Sequence, residues 1–215
     1  MSRPPLLRPV GEAAVLADFG GEGSSRTSAR VLALDEAVAQ HPPAGLVEAV
    51  PAATSLLLRF DPLVTDHAAI LAHLRGLAAR PRPASPGRLH RLPVTYEGAP
   101  DLAAAAEALG LAEETLIARH VGRCYRVVMC GFAPGCAYLG DLHPSLRLPR
   151  KPQVVRNVPA GSVIIAGRQC IVTTLTLPTG WWAIGHCPVP IFDPDAEHPF
   201  LLAPGDRVRF ARLLP

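Results

Sequence analysis

Lysine is almost absent from this 215-residue chain: Lys151 is the only one, and arginine fills every other cationic position. Aromatic residues make up 5% of the chain and the formal net charge is only +3. No basic cluster interleaves with aromatics, so a nucleic-acid partner is not expected. No apolar run approaches the ~20 residues that a membrane-spanning helix needs. Met1 to Val10 carry two arginines but no following apolar stretch of signal-peptide length, so a cytoplasmic location is expected. The five cysteines, Cys124, Cys130, Cys136, Cys170 and Cys187, are odd in number and include no pair at two-residue spacing. They read as free thiols rather than as a zinc or redox motif, and no metal site is expected. Also missing are H-E-x-x-H, G-x-S-x-G and a G-x-x-x-x-G-K phosphate loop, which removes the commonest hydrolase and nucleotide signatures.

Proline and glycine are plentiful, at 24 and 18 residues. Their placement suggests two domains. Residues 13–19 form a short apolar run closed by Gly20-Gly21, a strand candidate. Ser24 or Ser25 can cap a helix that continues through Val31, Leu34 and Val38 at helical spacing and stops at His41-Pro42-Pro43. Residues 46–50 and 55–60 read as strands. Thr65 or Asp66 caps a second helix whose apolar face is Ile70, Leu71, Leu74, Leu77 and Ala78. A further strand would complete a ferredoxin-like α/β layer. The proline-rich stretch 80–87 reads as a linker, which divides the chain into domains 1–84 and 85–215. The strand over 88–96 can open the second domain or close the first. Asp101 is placed to cap a helix over 102–109, and Glu113-Glu114 favour the start of another that ends near His120. From Cys124 onward short strands and turn signals dominate, the pattern of a β-barrel.

The segments that invite a functional reading are the glycine- and proline-punctuated ones at 131–140, 158–169 and 177–185. Arg150 and Lys151, framed by Pro149 and Pro152, suit a carboxylate or phosphate, or equally a solvated loop. Gln169 can hydrogen-bond a polar ligand or satisfy a turn, and Ser162 has the same two readings. His120 and His186 titrate near neutrality and are candidate bases, while a helix C-terminal histidine also stabilises the dipole. Tyr138 either roofs a pocket or packs. Of Trp181 and Trp182, one is expected in the core and the other in a pocket or interface.

Together these segments resemble the B subunits of bacterial 5-oxoprolinase (PxpB), a family also labelled allophanate hydrolase subunit 1 and including the KipI kinase inhibitors. The likeness rests on Gly131 to Gly140, Pro149-Arg150, Val158 to Gln169, Leu177 to Cys187, and Pro204 to Phe210. Departures from the family pattern fall at Cys136, Cys170, Thr173, Thr174, His186 and Cys187. The resemblance implies an α+β chain, with an N-terminal α/β domain and a cyclophilin-like β-barrel of the carboxyltransferase C/D type. It implies pairing with the C and A subunits of 5-oxoprolinase, and ATP (with Mg) used by the assembled complex to open 5-oxo-L-proline to L-glutamate. None of these cofactors is expected to bind this chain tightly. Its site would use His120, Arg150 and Lys151 in catalysis and Tyr138, Ser162, Gln169 and His186 in substrate binding. Arg150, Lys151, Gln169 and His120 would line one barrel mouth facing the C subunit. The chain would be inactive alone, with an exposed apolar face for docking. Two other readings are a KipI-like regulator of a histidine kinase and an allophanate hydrolase or urea carboxylase-type carboxyltransferase component.

Overall fold

The computed structural model describes residues 3–21, 23–78 and 85–214. The chain divides into two compact units, Met1–Pro86 and Gly87–Pro215.

The first unit is a four-stranded antiparallel sheet with helices on one face. Its strands are β1 (Leu6–Val10), β2 (Ala14–Asp18), β3 (Leu46–Pro51) and β4 (Ser55–Phe60), in the order β1-β2-β4-β3. Helix α1 (Ser25–Gln40) starts where the Ser24 hydroxyl accepts from the Thr27 N–H. Helix α2 (His67–Ala78) starts where the Asp66 carboxylate accepts from the Ala69 N–H at 2.8 Å. Both contacts satisfy donors that a helix start leaves open. Period-two alternation turns Val15, Ala17, Leu56, Leu58 and Phe60 to one side of the sheet, where they meet Val31, Leu34, Val38, Ile70 and Leu74.

The ferredoxin-like expectation required the strand after α2 to join this layer. That strand, β5 (Leu89–Val94), instead runs parallel to the last strand of the second unit. The place beside β2 is taken from the other end of the chain, by β1. Pro9 hides β1 from a strand reading, yet proline is tolerated on an edge strand, where its missing N–H faces outward. Residues 80–84 of the expected linker lie outside the described residues.

The second unit is built on a seven-stranded sheet. Its further strands are β6 (Tyr125–Cys130), β7 (Ala137–Gly140), β8 (Val155–Val158), β9 (Ser162–Ala166), β10 (Gln169–Val172), β11 (Leu177–Thr179), β12 (Trp182–His186) and β13 (Arg207–Arg212). The sheet order is β12-β9-β10-β7-β6-β13-β5, and β8 and β11 form a separate two-stranded ribbon. The two ends of the sheet meet at Thr95 and His186. Each donates its N–H to the other's carbonyl, at 2.9 and 2.8 Å, so the sheet nearly closes into a barrel. Gly185 makes that meeting possible: a Cβ there would lie 2.7 Å from Val94 Cγ1 and 3.1 Å from the Thr95 oxygen. Inside the barrel pack Val94, Tyr125, Val127, Leu139, Val163, Ile165 and their neighbours. Helix α3 (Leu102–Ala108) packs on β12 and α4 (Glu113–Val121) on β13. Asp101 does not cap α3 through its side chain; its carboxylate is used elsewhere. No helix among the described residues is long and apolar enough to cross a membrane.

Candidate functional site

The alternation that fills the barrel also equips its outside. Cys170 and Val172 of β10 point inward, so Ile171 points out; Val163 and Ile165 of β9 point inward, so Ile164 and Ala166 point out. With Cys136, Val158, Trp181 and Ala183 these residues form a second apolar cluster, against which Tyr138 packs. Above it lies a recess of about 220 Å³, whose lining includes Tyr138, Ile164, Ile171, Trp181, Phe132 and Arg150. The recess is therefore on the outer face of the sheet, beside the β8–β11 ribbon, rather than at a barrel mouth.

Two loops bring its walls together. In the 131–136 loop, Gly131 N–H donates to the Cys136 oxygen and Cys136 N–H to the Ala133 oxygen, both at 3.0 Å. Gly135 has φ +69°, and a Cβ on it would lie 2.6 Å from Phe192 Cβ. Phe132 has φ +75°, a backbone that a bulky residue adopts only under constraint, and its ring is 79% exposed at the rim. Val154 adds a second exposed apolar side chain to the lining.

The 149–151 loop is clamped on both sides of Arg150. The Trp182 indole N–H donates to the Pro149 oxygen at 2.8 Å. Lys151 N–H donates to the Gly180 oxygen at 2.6 Å, and its ammonium pairs with Asp101 Oδ2 at 2.5 Å. The same Asp101 oxygen accepts from the Ala183 N–H at 2.7 Å. Arg150 itself has no carboxylate partner among the described residues. Its guanidinium stands 5.9 Å from the centroid of the Trp181 ring, in cation–π range.

Burial lifts the Tyr138 hydroxyl above its ordinary range; the Cys136 thiol adds to this and Arg150 opposes it. Burial also pushes the Cys136 thiol up to about 11, so it is protonated at neutral pH. No Asp, Glu or His among the described residues lines the recess. Its polar groups are one guanidinium, one phenol, the Cys136 thiol and the hydroxyls of Thr173, which donates to the Pro159 oxygen, and Thr179, which accepts from the Trp181 N–H, set in a wall of aromatic and aliphatic carbon. That set suits a small ring-bearing monoanion, and among the described residues it offers no carboxylate or imidazole as a general base.

The seven residues expected at the site separate accordingly. Arg150 and Tyr138 line the recess. Lys151 is adjacent but tied to Asp101, so its charge is already matched. Gln169 opens β10 opposite Ala166, and Ser162 opens β9 opposite His186; none of Gln169, Ser162 and His186 is among the lining residues. Ser162 is buried at the strand start, where its N–H donates to Thr173 Oγ1 at 2.9 Å and its carbonyl accepts from the Thr173 N–H. His120 is 0% exposed in the barrel core. Its Nδ1 shares a hydrogen bond with the Tyr96 hydroxyl at 2.6 Å, its Nε2 lies 3.5 Å from Cys170 Sγ, and its ring stacks on Phe210. Burial pushes its pKa down to about 3, which makes it a neutral packing residue rather than an accessible base. Phe132, Val154, Leu177 and Thr179 of the lining, and Asp101 behind it, are the residues that sequence reasoning did not assign to the site. The family motifs offer a signal for Phe132, Leu177 and Thr179; Asp101 reads only as a helix cap, and Val154 carries no signal.

Comparison with known proteins places this geometry in a family. The model of the carboxyltransferase domain, subdomain C and D, matches residues 5–202. A 5-oxoprolinase B subunit from Escherichia coli O157:H7 is 36% identical over 94% of this chain and 93% of its own length. The crystal structure of TTHA0988 superposes with a TM-score of 0.84 at 38% identity, covering 98% of this chain. This chain spans only 40% of that longer one. The urea carboxylase of Kluyveromyces lactis shares the fold, with a TM-score of 0.74 at 20% identity over 97% of this chain and 22% of its own. The chain thus belongs to the carboxyltransferase subdomain C and D family, in the branch that holds the 5-oxoprolinase B subunits.

Proposed function

We propose that this chain is the B subunit of a cytoplasmic ATP-dependent 5-oxoprolinase, inactive alone, which opens 5-oxo-L-proline to L-glutamate together with homologues of the C and A subunits. Its barrel is read as the cyclophilin-like carboxyltransferase type. The observation that carries this reading is Arg150: an arginine without a carboxylate partner, held against Trp181 in a recess sized for a small ring.

In this reading the substrate carboxylate takes the Arg150 guanidinium in a paired, charge-assisted contact. The five-membered ring lies against Trp181 and Ile171, and Tyr138 offers a hydroxyl to a ring polar atom. The apolar wall keeps water from competing for these contacts, which strengthens them. Phe132 and Val154 at the rim complete the enclosure when a partner protein covers them. Magnesium-bound ATP does not fit this recess, which supplies one cation and no carboxylate where a triphosphate and its metal call for several of each. The nucleotide is therefore assigned to another part of the complex. The reacting base is assigned elsewhere as well, because the lining contains no carboxylate or imidazole.

The test is Arg150→Ala in the complex reconstituted with the C and A subunits. ATP-dependent turnover of 5-oxo-L-proline is expected to fall by about a hundredfold or more, the scale of losing a charged contact of about 3 kcal/mol. Unchanged turnover would remove the recess from the reaction.

A further inference from the structure

A second charged feature lies away from the recess, on the outer face of β6, β13 and β5. Tyr125, Val127, Val208, Phe210, Leu92 and Val94 fill the barrel from these strands. Alternation therefore sends Arg126, Arg207, Arg209 and Arg91 to the opposite face. The register sets Arg207 directly across from Arg126, and Arg209 directly across from Arg91. Side chains so placed stand about 5 Å apart at Cβ, where like charges repel. None of the four has a carboxylate partner among the described residues. Arg207 Nε is buried without an acceptor, and Arg91 and Arg209 are exposed.

Three arginines on other strand positions are paired within the chain. In the first unit Arg59 faces Glu48 across the strand pair and Arg8 reaches Asp18. At the far end of β13 itself, Arg212 is bracketed by Glu97 and Glu114. Arg156 on β8 is, like Arg91 and Arg209, exposed and without a carboxylate partner among the described residues; what sets the four apart is that they stand opposite one another in two like-charged pairs.

We propose that this face docks an acidic surface of a partner protein, a strand or helix carrying several carboxylates. The inference is independent of the recess and of its substrate. A protein surface is favoured over a small anion because the four cations spread over three neighbouring strands of one sheet face and do not converge on a point. Nucleic acid is disfavoured because β6, β13 and β5 carry no outward aromatic side chain on which a base could stack. Complementary charge of this kind sets partner choice and association rate.

The probe is a fluorescein-labelled poly-L-glutamate peptide of about 20 residues, long enough to cross the three strands at their usual spacing, with binding to the full chain followed by anisotropy. Binding is expected to weaken with salt. It is expected to fall about tenfold in R91Q/R209Q but less than about twofold in the charge-matched R26Q/R75Q, whose exposed arginines lie on α1 and α2. The melting temperature of R91Q/R209Q at low salt is expected to equal or exceed that of the unmodified chain, because repulsion is relieved. Equal weakening in both double variants would overturn the proposal, as would tighter patch-dependent binding of a single-stranded oligonucleotide. A lowered melting temperature in R91Q/R209Q would also overturn it, by showing that the arginines serve the fold of this chain alone.

Discussion

Acid should unfold the second unit through one imidazole. His120 is fully buried, and its pKa falls from the ordinary 6.5 to about 3 because the charged ring would sit in the barrel core among Tyr96, Tyr125, Cys170 and Phe210. Above pH 6.5 the ring is neutral in both folded and unfolded chains and costs nothing. Below it the unfolded chain takes up a proton that the folded one refuses until about pH 3, so stability is lost throughout that window. At about 1.4 kcal/mol per pH unit, moving from about pH 7 to about pH 4.5 removes about 2.5 kcal/mol. Both tryptophans, Trp181 and Trp182, lie in the second unit, so their emission during urea unfolding reports on that unit alone. His120→Asn keeps an acceptor for the Tyr96 hydroxyl but cannot be protonated. The fall in stability between the two pH values should be smaller in this variant than in the unmodified chain, by about 2.5 kcal/mol. The proton NMR signals of the His120 ring should also stay fixed down to about pH 4. An equal loss in variant and unmodified chain, or a ring that titrates near its ordinary pKa, would refute the argument.

Other consequences are local. Gly185→Ala places a methyl group 2.7 Å from Val94 Cγ1 where the barrel closes, and should lower stability. About 1–3 kcal/mol is expected from such overpacking, read as a lowered urea midpoint with an unchanged slope. Lys151→Met leaves the Asp101 carboxylate, 18% exposed, with the Ala183 N–H as its one remaining partner among the described residues. A loss of about 1–2 kcal/mol is expected, between the values for surface and buried pairs, and Asp101→Asn in the same chain should recover part of it in a double-mutant cycle. Arg150→Ala should leave the urea midpoint nearly unchanged, within about 0.5 kcal/mol, since its side chain is exposed and has no ion-pair partner among the described residues, so that any loss of turnover is a loss of binding.

Elements with a clean period and a cap were legible before any coordinates. Ser24 and Asp66 open α1 and α2 where expected, and Val31, Leu34, Val38, Ile70 and Leu74 face the first unit's core. Short strands with proline inside were not: β1 contains Pro9 and β11 contains Pro178, and the β11 partner lies in a separate segment of the chain. Arg150 stood out through its proline frame and its neighbour, the single lysine. That the lysine's charge is consumed by Asp101 could not be read, because the two are 50 residues apart with no shared pattern. His120 is the instructive case. It follows Leu116 and Ile117 by four and three residues, which puts it on the buried stripe of α4. That spacing argued for the core more strongly than the residue's chemistry argued for catalysis.

If Arg150 and Trp181 together hold the substrate, titrating 5-oxo-L-proline into the complex with the C and A subunits should change its tryptophan emission, with Trp181→Phe as the control that assigns the change to Trp181. A saturable change is expected that disappears in Arg150→Ala. No change on adding 5-oxo-L-proline, or the same change with alanine at position 150, would contradict a joint role for the two residues.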